Sequence, residues 1–144
     1  MKKRYGMFLQ NSFGKTIDIL HRTMDVSLLR RSVIADNIAN ADTPNFKRSE
    51  LNFESELKKA LESGRNRKLG LTVTDERHVP NNRTVDYRSV GPRRVLDYLS
   101  TTDNNGNNVD LETESMLSLQ NQLQYELMTT IVANKFNRIS AVLR

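Results

Sequence analysis

The chain has 144 residues, of which 37% are apolar, and it carries a net charge of +5 from 22 basic and 17 acidic residues. This length allows one ordinary domain with a thin hydrophobic core, part of which other molecules can complete. The absence of cysteine excludes disulfide bonds and thiolate metal sites, and without a long apolar run we expect neither a cleaved signal peptide nor a transmembrane helix.

A long amphipathic helix is predicted from about Phe13 to Ala41. Its apolar residues recur close to the helical period of 3.6 residues, and no glycine or proline occurs between Lys15 and Thr43. Pro44 is expected to end the helix, because proline lacks the backbone N–H that a helix interior requires. The apolar positions that we assign to a helix-pairing seam are Ile17, Leu20, Met24 and Leu28.

The middle of the chain is predicted to be less regular. A short helix is expected from about Glu50 to Leu61, with Gly64 as its stop. Residues 65–100 are basic and polar, and only the alternating pieces 69–73 and 84–87 predict small strands. These basic residues are compatible with phosphate binding, but no aromatic platform accompanies them, so we interpret the segment as a partly flexible linker that binds no nucleic acid.

A second long helix is predicted at the C-terminal end. The Asn- and Gly-rich stretch 103–108 indicates a turn, Asp110 is a suitable N-cap, and no glycine or proline follows up to Leu143. Such a helix is about 50 Å long, so we expect it to need both the N-terminal helix and neighbouring molecules to cover its apolar side. Its seam positions are Met116, Leu119, Leu123, Leu127 and Ile131.

The predicted fold class is therefore mainly α, with two long terminal helices that pair as an α-helical coiled coil, a short third helix and an irregular or weakly β middle segment. Residues 1–49 and 109–144 are expected to form one helical domain, with residues 50–108 as the middle segment. Residues 1–50 carry nine basic and five acidic residues and residues 101–144 three and five, a charge asymmetry that suits two segments that meet.

Catalytic patterns are missing from the sequence. It has no nucleophile elbow, phosphate-binding loop or dinucleotide-binding glycine motif. The two histidines, His21 and His78, are isolated and have no cysteine beside them, which makes a poor metal site. We therefore predict a protein that is not an enzyme and has no catalytic residue, cofactor, metal or small-molecule substrate.

The most informative stretch runs from Ser32 to Lys47, SVIADNIANADTPNFK. Its small alanines allow another helix to approach closely, and Asn37 and Asn40 lie three residues apart on one helical face. Spacing alone leaves two interpretations open: the asparagines hydrogen-bond across an interface, or they cap carbonyls left open where the helix ends. The residues that we assign to an assembly motif are Asn37, Ile38, Ala39, Asn40, Thr43, Pro44 and Phe46.

This stretch resembles the N-terminal signature of the flagellar basal-body rod and hook family. Residues 106–112 and 121–125 narrow the similarity to the proximal rod proteins of that family. The resemblance implies a structural subunit that assembles helically in the periplasmic rod of the basal body and transmits torque between the membrane ring and the distal rod. It also implies self-association, other rod proteins and the ring–rod junction adaptor as partners, and export through the flagellar type III apparatus without cleavage.

Two other classes of protein remain as alternatives. The chain is also compatible with a soluble coiled-coil adaptor or chaperone of a secretion system, which would form a stable discrete dimer instead of a polymer. Less compatible is a basic nucleic-acid binder, whose retention on DNA would fall steeply with salt.

Overall fold

The computed structural model describes residues 12–65, 75, 84–100 and 104–143. Its regular elements, in chain order, are α1 (Ser12–Ala39), β1 (Ser49–Asn52), α2 (Glu54–Arg65), a 3₁₀ turn (Tyr87–Ser89), β2 (Arg93–Leu96) and α3 (Leu111–Val142). Strands β1 and β2 pair as a two-stranded sheet. The predicted fold class is confirmed: the protein is mainly α, and its two long terminal helices pack together. In the described part of the chain, every helix is too short or too polar to cross a lipid bilayer.

The chain divides into two compact units, one formed by Met1–Glu50 with Leu96–Arg144 and the other by Leu51–Val95. In the first unit α1 and α3 run antiparallel. The rings of Phe13 and Phe136 meet edge to face with centroids 6.1 Å apart at one end of the pair. Asn121 Nδ2 donates to the Ser27 carbonyl at 2.9 Å near the middle. These contacts fix one register along the two helices.

On α3 the line of residues buried against α1 differs from most of the predicted seam. On α3 the buried residues are Glu114, Asn121 and Met128, which recur every seven residues, and on α1 the most buried apolar residues are Val26, Val33 and Ile34. Five of the predicted seam residues keep at least half of their surface exposed, namely Leu28, Met116, Leu119, Leu123 and Leu127. The other four are partly buried, namely Ile17, Leu20, Met24 and Ile131.

The physical reason for this correction is that the inner line of α3 contains polar residues. Glu114 has hydrogen-bonding partners at both carboxylate oxygens, and Asn121 donates through Nδ2 although its buried Oδ1 has no partner, so burial is compensated fully at Glu114 and in part at Asn121. The period of apolar residues therefore identified an outer face of α3, because apolar spacing alone does not tell which side meets a neighbour within the same chain.

The N-terminus of α3 is capped as predicted. The Asp110 carboxylate accepts the backbone N–H of Glu112 at 3.0 Å and the hydroxyl of Thr113 at its other oxygen. The Thr113 hydroxyl bond is the main reason that the pKa of Asp110 lies below its usual value, with the Glu112 amide adding to it. An anionic cap also interacts favourably with the positive end of the helix dipole.

In the second unit the helix prediction was correct in kind but not in its start. The predicted first turn, from Glu50, is strand β1, and α2 begins at Glu54. The buried positions around α2 are Phe53, Leu57 and Ala60, which recur at helical spacing. Leu51, which falls inside the predicted helix, belongs to the strand instead.

The strand predicted at 84–87 is wrong. Asp86 caps a 3₁₀ turn there by accepting the Arg88 N–H at 3.0 Å, and this local bond competes with strand pairing. The strand that pairs with β1 is Arg93–Leu96, which the sequence did not indicate. The predicted strand 69–73 and His78 lie outside the described residues.

Candidate assembly site

The predicted assembly motif lies at the C-terminal end of α1 and in the turn that follows. Asn37 is completely buried, Ile38 and Asn40 are partly buried, and Ala39, Thr43 and Pro44 are exposed. Phe46 is partly buried, and its N–H donates to the Thr43 carbonyl at 3.3 Å, which closes the turn. The motif is therefore part of the internal fold at some positions and exposed at others.

Asn37 is a clamp inside the chain, and neither interpretation left open by the sequence applies to it. Its Nδ2 donates to the Ser49 carbonyl at 2.9 Å, and its Oδ1 accepts the Ser49 N–H at 3.1 Å. The same Nδ2 lies 3.2 Å from Glu114 Oε2. One side chain of α1 thus holds the start of β1 and the first turn of α3.

Glu114 completes this clamp as a fully buried carboxylate. Its Oε1 accepts Arg48 Nε, and Arg48 also pairs with the exposed carboxylate of Glu50. Burial alone would lower the pKa of the Arg48 guanidinium, but the hydrogen bonds to Glu114 and Glu50 outweigh it and raise that pKa. Arg48 therefore stays cationic, and the buried negative charge of Glu114 keeps a permanent partner.

The turn that follows α1 is held by a residue from a distant part of the chain. Asn107 Nδ2 lies 2.9, 2.6 and 2.9 Å from the carbonyl oxygens of Asn40, Ala41 and Thr43. The turn that delivers Asn107 needs glycine at position 106, where φ is +80° and a Cβ would lie 2.7 Å from Asn45 Oδ1. Asn40 has the capping role that the sequence allowed, because its Nδ2 donates to the Asp36 carbonyl in the last turn of α1 at 2.8 Å.

The neighbouring Asn108 fixes a second turn, residues 97–100. Asn108 Nδ2 donates to the Asp97 carbonyl at 2.7 Å and to Ser100 Oγ at 3.1 Å. The Asp97 carboxylate accepts the Leu99 N–H at 2.9 Å and the Ser100 hydroxyl at 2.6 Å. These bonds, that of the Ser100 hydroxyl above all, lower the pKa of Asp97 below its ordinary value. The turn is therefore held by side chains, while Tyr98 and Leu99 point away from it, 69% and 97% exposed.

The exposed side of α3 carries an apolar stripe, which we define as Met116, Leu119, Leu123 and Leu127. At about 100° per residue, Leu119 and Leu123 lie about 160° and 200° around the helix from the buried Asn121. The stripe therefore points almost directly away from α1. Residues 115–125, which include Met116, Leu119 and Leu123, contain no charged side chain, and Glu126 directly precedes Leu127. Covering the first three stripe residues therefore does not remove a charge from water.

The contacts of Asn37 and Glu114, together with those of Arg48, Asn107, Asn108 and Asn121, hold distant parts of the chain together. We call this set of contacts the lock. Its polar groups are directed at one another and at backbone atoms, which fixes the register of the chain ends. Among residues 12–65, 75, 84–100 and 104–143, no group of three or more His, Asp or Glu side chains is placed to hold a metal ion. His21 lies exposed beside Asp25, with Nδ1 3.6 Å from Oδ2.

Sequence reasoning missed the residues that complete the lock, namely Arg48, Asn107, Asn108, Glu114 and Asn121. Asn107 and Asn108 were interpreted only as turn formers. The seven-residue spacing of Glu114, Asn121 and Met128 is a weak signal of an inner helical line, but two of the three are polar, and a search for apolar periodicity passes over them.

Comparison of the sequence with known proteins identifies the family. A family model described as flagella basal body rod protein matches residues 28–47, which include the clamp residue Asn37 and the turn after α1. The flagellar basal body rod protein FlgB of Borreliella burgdorferi is 48% identical over 93% of this chain and 99% of its own length. The FlgB protein of Borrelia hermsii is 45% identical over the same shares. That of Bacillus subtilis is 34% identical over 91% of this chain and 95% of its own length. The chain belongs to the FlgB family of flagellar basal body rod proteins.

Proposed function

We propose that this chain is a structural subunit of the flagellar basal-body rod, located in the basal body, that assembles helically with copies of itself and with other rod proteins. In this proposal the rod transmits torque from the membrane ring to the distal rod, and the ring–rod junction adaptor is a neighbour. The subunit reaches the rod through the flagellar type III export apparatus without cleavage. Residues 1–49 and 109–144 act as the inner helical domain, and residues 50–108 as an outer segment.

The observation that carries the proposal is the apolar stripe of α3. A long helix that is buried along one line and apolar along the opposite line is suited to packing between two neighbours. With Met116 66% exposed and its three companions more than half exposed, the isolated chain leaves this face uncovered. Contiguous exposed apolar surface of this kind marks an interaction site.

The lock supports the proposal in a second way. Arg48 and Asn107 join sequence positions about sixty residues apart, so the motif acquires its structure only when both chain ends are present. Closing a long loop costs conformational entropy, and only the contacts that the loop brings together offset this cost. Such long-range contacts suit a chain that is exported unfolded and folds at its destination.

The test is to locate the chain in cells and to perturb the motif. Basal bodies isolated from the envelope should contain the chain, and Asn37→Ala or Ile38→Asp should prevent rod assembly while the chain is still expressed. An exposed substitution such as Lys58→Ala serves as the matched control. If cells carrying Asn37→Ala or Ile38→Asp are motile, the motif is not required for rod assembly. A discrete soluble dimer that is absent from basal bodies would favour an adaptor or chaperone instead.

A further inference from the structure

The turn formed by residues 97–100 presents an apolar knob, which we define as Tyr98 and Leu99. Leu99 is the most exposed large apolar side chain in the described part of the chain, at 97%, and Tyr98 is 69% exposed. An apolar pair at the tip of a loop costs solubility, and neither side chain contributes to the core of its own unit. Their exposure therefore indicates a surface that binds another molecule.

The turn that carries the knob is rigid for its size. Asp97 accepts hydrogen bonds from Leu99 and Ser100, its N–H donates to the Arg48 carbonyl at 2.9 Å, and Asn108 ties the turn to the segment before α3. A preorganised loop loses little conformational freedom when it binds, so its contact surface is used efficiently. Tyrosine on such a loop is a typical interface anchor.

The geometry points to the apolar stripe of α3 on a second copy of this chain as the surface that receives the knob. This inference rests on the proposed function, because only a polymerising subunit needs such a contact. The knob and the stripe are both exposed in one molecule, so they do not cover each other there. If two stripes packed on each other, the contact would be isologous and would close a dimer; a knob-to-stripe contact joins two different surfaces and can continue as a helix of subunits.

Charge distribution favours this pairing over contact between identical surfaces. The stripe itself is uncharged, but α3 places Glu112 and Glu126 near its two ends. Asp97 separates the knob from β2, which contains Arg93 and Arg94, so residues 93–97 carry two positive charges and one negative charge. Two stripes face to face would bring like charges together, whereas a basic segment against an acid-bounded stripe is attractive.

The size of the contact suits a subunit that does not polymerise before export. A large side chain has roughly 200 Å² of surface, so the exposed fractions of the six side chains correspond to on the order of 800 Å². Stable pairwise interfaces bury about 1,200–2,000 Å². The knob and the stripe alone therefore make a weak contact, which holds only when other rod contacts form beside it.

Because the chain has no cysteine, single-cysteine variants test the contact in assembled basal bodies. Cells co-express full-length Leu99→Cys and Leu123→Cys chains with different tags, and basal bodies are isolated after oxidation and alkylation. We expect a disulfide-linked dimer that contains both tags, several-fold above that from Leu99→Cys paired with Ser32→Cys, an exposed α1 position. A companion variant, Leu99→Ser, should keep the far-UV circular dichroism of the wild type but lose motility.

Each result has a defined meaning. Predominant dimers of the Leu123→Cys chain with itself would show stripe-to-stripe packing and overturn the inference. The inference is also overturned if the chains are present in basal bodies but the mixed dimer does not exceed the Ser32→Cys control. Normal swimming of Leu99→Ser cells would overturn it as well. In both cases the proposed rod function would stand. Absence of both chains from basal bodies would overturn the proposed function itself, and this inference with it.

Discussion

Replacing Asn37 tests directly how the two terminal helices are joined. Its side chain is fully buried and makes three hydrogen-bonding contacts, two with the Ser49 backbone and one with Glu114. In Asn37→Ala these buried groups lose their partner, and each unsatisfied group costs about 1–3 kcal/mol. We expect the free energy of unfolding to fall by about 3 kcal/mol, a large fraction of the roughly 5–15 kcal/mol typical of a domain.

Asn37→Asp keeps the shape of the side chain and changes only its chemistry. The amide nitrogen becomes an oxygen that faces the Ser49 carbonyl and the Glu114 carboxylate, so a donor is replaced by a repelling acceptor. At neutral pH we expect a loss of about 3–5 kcal/mol, the scale of an uncompensated buried charge. The facing carboxylate raises the pKa of the introduced carboxyl group in the folded state, so the loss should shrink as pH falls toward about 5 and grow as pH rises.

The assay is urea unfolding followed by far-UV circular dichroism, with free energies from linear extrapolation. Asn40→Ala is the matched control, because this motif asparagine donates only to the exposed Asp36 carbonyl and to no distant segment. Its expected effect is below about 0.5 kcal/mol. Equal losses for Asn37→Ala and Asn40→Ala, or an Asn37→Asp variant as stable as the wild type at every pH, would refute the clamp.

Three further predictions concern Asn107, the turn held by Asp97, and the helix content of the purified chain. Asn107→Ala should lower the free energy of unfolding by about 2–3 kcal/mol, because the carbonyls of Asn40, Ala41 and Thr43 lose the two amide hydrogens that they share; faster amide hydrogen exchange after Ala39 would show it, and unchanged exchange would count against it. The pKa of Asp97 is depressed below 3.8, so its contribution to stability is present above that value and is lost as pH falls through the folded pKa. The protection factor of the Leu99 amide, which is the ratio of its intrinsic to its observed exchange rate, should therefore fall in acid, and this pH dependence should vanish in Asp97→Asn. The purified chain should show less helix by circular dichroism than the 28 residues of α1 and the 32 of α3 imply, because α3 has no fully buried residue between Met128 and Val142; a monomer with both helices fully formed would contradict this.

The sequence predicted the two long helices and their type because local rules govern them. Apolar residues at a 3.6-residue period, the absence of glycine and proline, and a capping Asp110 are properties of neighbouring positions. The boundary at Pro44 follows from backbone chemistry in the same way, and α1 ends a few residues before it. The short helix was recognised but its start was misplaced, since the choice between helix and strand at Glu50 depends on whether β2 is there to pair with β1.

The assembly motif shows what local sequence patterns do not predict, namely which of its asparagines is buried and bound to distant segments. Asn37 and Asn40 occur in the same short stretch with the same side chain, yet one is a buried clamp and the other is a local hydrogen-bond donor. What separates them is the position of Ser49 and Glu114, which follow 12 and 77 residues later. No pattern in the stretch itself carries that information.

The sequence by itself determined that this protein is a cysteine-free pair of long terminal helices with an apolar stripe on α3, and its motif identified the family. Only the tertiary structure decided which side of α3 meets α1. Buried Glu114 and Asn121 occupy that side because distant segments supply the carboxylate and the amide nitrogen with hydrogen-bond partners, and this turns the apolar stripe outward. Hydrophobic periodicity indicates which face of a helix is unfavourable to expose to water. Contacts between residues far apart in the chain determine which molecule covers that face.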